Sequence, residues 1–132
     1  MIIEDLNPHK YKLTEEIEDN LHILYAKIMM LYKALPREIL SRNTFSVTSG
    51  LRSQEQQDKL IAAGKSRAKQ SLHVLGAAVD LYDPRSELDE WVSNNVEVIQ
   101  EIGLWFEHKN YTPNWCHVQI FAPQSGKRFF IP

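Results

Sequence analysis

The chain holds a single cysteine, Cys116, among 132 residues. No internal disulfide can form, and nothing in the cysteine pattern points to an oxidising compartment. Long hydrophobic runs are missing too: none approaches the roughly 20 residues that span a bilayer. The opening residues, Met1-Ile2-Ile3-Glu4-Asp5-Leu6, carry acid where a secretory signal wants base. Synthesis in a cytoplasm without a signal peptide is therefore the expectation. Neither sign of charge dominates, with 15 Lys and Arg against 17 Asp and Glu and a net charge of −2. That balance gives no electrostatic footprint for nucleic acid or an anionic membrane surface. Repeats and low-complexity segments are absent as well. What remains, 43% hydrophobic and 24% charged, is the composition of an ordinary globular protein. The length suits one domain, residues 1–132, with a core large enough to need no disulfide staples.

Thr14 followed by Glu15 and Glu16 reads as a helix start, an N-cap with acid in the first turn. Ile17, Leu21, Leu24, Ile28, Leu31 and Leu35 then recur at the spacing of one buried face, predicting a helix over 14–35 that ends near Pro36. Residues 43–49 read as a strand, and Ser53 with Gln56 as a capping box for a helix over 54–63 that stops at Gly64. The basic stretch 65–70 is either a solvated loop or the rim of a cleft. A short turn at 73–76 precedes a strand over 77–82, in which Val79 and Leu81 face the core and Asp80 the other side. Ser86 with Asp89 marks a helix that Gly103 ends. In 104–107, if Leu104 and Phe106 face the core, Trp105 and Glu107 face the cleft; in 115–121, Trp115, His117 and Gln119 share one face. Cys116 lies on the opposite face, as a small buried hydrophobe. The tail reads as turns with one edge strand. These gaps suit an α+β domain better than regular βαβ winding. The expectation is a small antiparallel sheet with helices packed on one face and a metal site in a cleft on the other.

His73 and Asp80 stand seven positions apart in Ser71-Leu72-His73-Val74-Leu75-Gly76-Ala77-Ala78-Val79-Asp80, and His117 waits downstream. Two imidazoles and one carboxylate suit zinc and leave a fourth position open, which separates a catalytic zinc site from a structural one. Asp80 taken alone would equally serve as the buried partner of an arginine. His9, His22 and His108 have no comparable company and are read as non-ligands.

The blocks Ser49-Gly50-Leu51-Arg52-Ser53, Ser71-x-His73-x-x-Gly76-x-Ala78-x-Asp80 and Trp115-x-His117-Val118 together resemble the zinc D-Ala-D-Ala carboxypeptidase and endopeptidase family. These are peptidoglycan-cleaving metallopeptidases that include phage endolysins, and their zinc scaffold recurs in lysostaphin-type peptidases and the hedgehog signalling domain. The resemblance covers residues 46–121 and leaves the 14–35 helix outside. It implies that His73, Asp80 and His117 bind one zinc ion and that Arg52 and Ser71 hold the carbonyl and carboxylate groups of a peptidoglycan peptide. It also implies a hedgehog-like fold, and a role in a virion or at lysis. In one respect the chain departs from the pattern. Many members carry a catalytic Asp or Glu three residues before the last zinc histidine, where this chain has Asn114. Other members carry a Glu on the preceding strand, which Trp105-Phe106-Glu107 resembles. Either Glu107 is the catalytic base, or the domain is a catalytically silent zinc-binding module.

Overall fold

In the computed structural model, residues 1–66 and 71–132 are described. The capping and periodicity at the N-terminus produce helix α1, Glu15–Ala34, with Thr14 Oγ1 accepting the Ile17 N–H. Its stripe of Leu21, Leu24, Ile28 and Leu31 is buried. The helix ends just before Pro36, as expected, and Pro36 serves as N-cap to a further short helix, α2, Arg37–Arg42. Strand β1 is Val47–Ser49, shorter than the sequence pattern suggests. The Asn43 side chain accepts the Phe45 N–H and the Tyr32 hydroxyl donates to the Phe45 carbonyl. These bonds hold Phe45 at a positive φ of 49°, out of extended conformation. The local side-chain bond wins over the strand pattern.

Helix α3, Gln54–Ala62, starts as expected, with Ser53 Oγ accepting the Gln56 N–H. The Gln56 side chain accepts from the Tyr11 hydroxyl, 3.1 Å away. The basic stretch 65–70 is only partly covered, since 67–70 lie outside the described residues. Strand β2, Ala78–Tyr82, follows the turn at 72–76. The expected single helix after it is two, α4, Glu87–Asn94, and α5, Val96–Ile102. Asn95 breaks it by turning its side-chain amide onto the Trp91 carbonyl, 2.7 Å away. Nor does Ser86 cap α4. The Asp83 carboxylate does so, accepting the N–H groups of Leu88 and Asp89 at 3.1 and 3.0 Å. Strands β3, Trp105–Glu107, β4, Trp115–Gln119, and β5, Phe129–Phe130, complete the chain.

The architecture is α+β, with one five-stranded sheet in the order β1-β2-β4-β3-β5. The sheet is mixed, correcting the expected antiparallel arrangement: β5 runs parallel to β3, pairing Phe106 with Phe129 and Glu107 with Phe130. The chain returns from β4 by turns through 121–128 and meets β3 on its free side, which reverses the sense of the last pair. One face of the sheet supplies Val79, Leu81, Phe106, Cys116 and Val118 to a core completed by α1, α4 and α5. The other face carries Asp80, His117 and Gln119. Among the described residues no helix is long and apolar enough to cross a membrane.

Beneath α4 the core side encloses polar groups. Asp89 accepts from the Thr112 hydroxyl at 3.1 Å and from the Cys116 thiol, with Asp83 close by. Burial, and then the neighbouring Asp83 charge, push the Asp89 carboxyl up to about 6 against those hydrogen bonds. Its folded-state pKa thus lies above its unfolded value, so the folded chain binds more protons between roughly pH 4 and 6. Stability from this group therefore falls as pH rises through that window. The Asp89→Asn protein should show a flatter decline in melting temperature from pH 4.5 to 7.5 than the parent. An identical pH profile for both proteins in calorimetry would remove Asp89 as the cause.

Candidate metal centre

Three elements carry the site. The first is the turn at 72–76, held against α1 at two points. Gly76 adopts φ +70°, and a Cβ there would lie 3.0–3.1 Å from Leu21 and Ile17. Only glycine combines that backbone with so close an approach. The Asn20 side chain, buried in the second turn of α1, donates to the Leu75 carbonyl at 2.9 Å. The helix that the sequence resemblance left out thus anchors the segment that carries His73. The second and third elements are β2 and β4, whose register pairs Asp80 directly with His117. Cross-strand partners on one face bring their Cβ atoms to within about 4.5–5.5 Å. His73, Asp80 and His117 are all buried, and one ligand atom from each lies within 4.8 Å of the others.

The donor atoms follow from hydrogen bonds outside the cluster. His73 Nδ1 lies 3.0 Å from the Gly50 carbonyl, an acceptor only, so Nδ1 carries the proton and Nε2 the lone pair. A Cβ at Gly50 would collide with the Leu6 carbonyl, so the absence of a side chain lets the segment at Leu6 pack against this turn. His117 Nε2 lies 2.8 Å from Gln119 Oε1 and donates to it, leaving Nδ1 to face the cluster. Asp80 Oδ1 then meets His117 Nδ1 at 2.8 Å and His73 Nε2 at 3.3 Å. In the neutral tautomers so fixed, two imidazole lone pairs and a carboxylate oxygen converge on one point. That arrangement is repulsive unless a cation occupies it, and it fits a divalent metal whose histidines are oriented by outer acceptors. The buried group can hold a metal ion.

Without a metal, a proton takes the cation's place. Burial alone would raise the Asp80 carboxyl, yet the His73 charge and the hydrogen bond from His117 hold it far below the usual carboxylate range. Burial would lower His117, but the hydrogen bond and charge of Asp80, with Glu107 adding to them, raise it to about 9. Without metal, a proton therefore bridges His117 Nδ1 and Asp80 Oδ1.

Arg52 closes one side. Its Nε donates to Ser49 Oγ at 2.9 Å, Nη1 to Gln57 Oε1 at 3.0 Å, and Nη2 reaches Asp80 Oδ2 at 3.4 Å. Asp80 is thus both a member of the cluster and an arginine partner, one oxygen for each. The outer N–H of each terminal nitrogen remains for other acceptors. Ser71 Oγ accepts the His73 N–H at 3.2 Å, which leaves its own O–H to donate. Glu107 Oε1 stands 3.9 Å from His117 Nδ1. Arg52, Ser71, His73, Asp80, Glu107 and His117 border one cleft of about 650 Å³, also lined by Lys65, Ser66, Tyr111, Trp115 and Phe130. Asn114 is exposed in the turn before β4, at φ +73°, and its carbonyl accepts the Asp83 N–H.

His73, Asp80, His117, Arg52, Ser71 and Glu107, all singled out in the sequence, come together here. The sequence reading missed the Gly50 carbonyl, Gln57, Asn20 and the Gln119 amide. Gln119 alone carried a local signal, its place two residues after His117 on the same strand face. Comparison with protein families, with curated proteins and with solved structures gives no match.

Proposed function

We propose that this protein is a zinc metallopeptidase acting on peptidoglycan stem peptides. The observation that carries the reading is the convergence of His73 Nε2, Asp80 Oδ1 and His117 Nδ1, each with its remaining polar atom already engaged elsewhere. A zinc ion held by these three residues supplies a Lewis acid that polarises a peptide carbonyl and acidifies water. Glu107 takes a proton from water at its carboxylate and returns it to the leaving amine. Arg52, already steered by Ser49, Gln57 and Asp80, presents its outer N–H edge to a peptide carboxylate or carbonyl. The Ser71 hydroxyl adds a donor beside it. Resemblance of the three sequence blocks to peptidoglycan peptidases names the substrate class.

A second reading, a catalytically silent zinc-binding module, is favoured by Asn114, an amide where many such peptidases carry a carboxylate. One experiment separates the two. Zinc-loaded protein incubated with purified peptidoglycan should release new amino and carboxyl termini, identified by mass spectrometry. A single released D-amino acid marks a carboxypeptidase and larger fragments an endopeptidase. Bound zinc without new termini establishes the silent module, and a protein that binds no zinc refutes both.

A further inference from the structure

Gln119 reaches out of the central strand β4, which is paired on both sides, by β2 through Ala78 and by β3 through Trp105. Its backbone is therefore held, and strand alternation aims its side chain to the same face as His117. Two hydrogen bonds fix what that side chain can do. Its amide nitrogen, Nε2, donates to the Phe121 carbonyl at 2.8 Å, while Oε1 lies 2.8 Å from His117 Nε2. The Phe121 carbonyl can only accept, so the amide cannot be flipped without setting two oxygens against each other. Oε1 must then face the imidazole and must accept.

We infer that Gln119 is a positioning residue of the metal centre: its amide, oriented by the Phe121 carbonyl, locks His117 in the tautomer that offers Nδ1. Gln119 does for His117 what the Gly50 carbonyl does for His73, but through a side chain that can be changed. The two histidines use opposite ring nitrogens, so each needs its own outer acceptor; one cannot serve both. Loss of such a partner typically weakens metal binding about 10–100-fold.

The inference rests on the metal reading of the site, and the test keeps the two apart. Zinc affinity is measured by chelator competition for the parent, Gln119→Met and Gln119→Glu, with nitrogen-15 NMR of the histidine rings in the zinc-loaded proteins. Methionine keeps the volume and removes the acceptor; glutamate keeps the acceptor and forfeits the bond to Phe121. Gln119→Met should bind zinc about 10–100-fold more weakly and lose the protected His117 Nε2–H signal. Gln119→Glu should stay near parental affinity and retain that signal. Parental affinity with an unchanged Nε2–H signal in Gln119→Met would overturn the role. Should Gln119→Met fail to fold by circular dichroism, Gln119→Leu decides: a loss of about 10–100-fold together with the Nε2–H signal upholds the role, and parental affinity with that signal retained overturns it. A parent protein that binds no zinc would instead refute the metal reading itself.

Discussion

Replacing Asp80 with Ala should reduce bound zinc from about one ion per chain to background, and should lower stability even without metal. Asp80 is the one anion of the cluster, and its two oxygens have separate duties. Oδ1 meets both histidines, and Oδ2 lies 3.4 Å from Arg52 Nη2. Removing the carboxylate leaves two neutral imidazoles as ligands, too few for a firm site. It also leaves the half-buried Arg52 guanidinium with Ser49, Gln57 and only the further charge of Glu107. Removing one member of a fully buried pair typically costs about 3–5 kcal/mol because the survivor remains desolvated, and with Arg52 half-buried the loss should be smaller. A second consequence is diagnostic. A ligand that binds the folded state raises its melting temperature, so adding zinc to the chelator-treated parent should raise it. The Asp80→Ala protein should melt lower than the metal-free parent and should not respond to zinc. Elemental analysis showing unchanged zinc in this variant would eliminate the proposed ligand set.

How far the site was legible in advance depends on the range of the interactions that build it. Alternation along 77–82 and 115–121 sent Asp80 and His117 to one face because a strand's period of two is local. Direct pairing of these residues across β2 and β4 is a register, which neither strand encodes by itself. His73 sits in a turn without periodicity, and the carbonyl that orients it belongs to Gly50, 23 positions earlier. Nothing in a linear pattern reports such a contact. The same distinction sorts the fold. Long α1, with five buried positions and a capping threonine, was plain. The two-residue strand β5 is too short to alternate, so its parallel pairing was not readable. Where side chains compete with the backbone, at Asn43 and Asn95, the hydrophobic pattern continued across a break that a single hydrogen bond imposes.

Glu107→Gln should keep the fold and the zinc while losing about 10²–10⁴-fold in peptidase rate, the usual worth of a positioned acid–base group. Its strand places Leu104 and Phe106 in the core and sends Glu107 into the cleft, where its side chain is 20% exposed. Oε1 lies 3.9 Å from His117 Nδ1, beyond hydrogen-bond distance but beside the point on which the three donor atoms converge. Glutamine has the same shape and cannot take a proton, so it tests chemistry rather than packing. The carboxyl's own titration offers an independent check. Burial raises its pKa above the ordinary glutamate value, the His117 charge lowers it, and the nearby Asp80 charge raises it again, with a net upward shift. A base works only when ionised, so activity should fall on the acidic side, and this limb should vanish from any residual activity of the glutamine variant. The alternative position holds no rival, since Asn114 is an exposed amide whose backbone is engaged with Asp83. Parental turnover in Glu107→Gln would remove Glu107 from the chemistry. Loss of zinc in the same variant would make it a ligand instead, a result that metal analysis reads without any substrate.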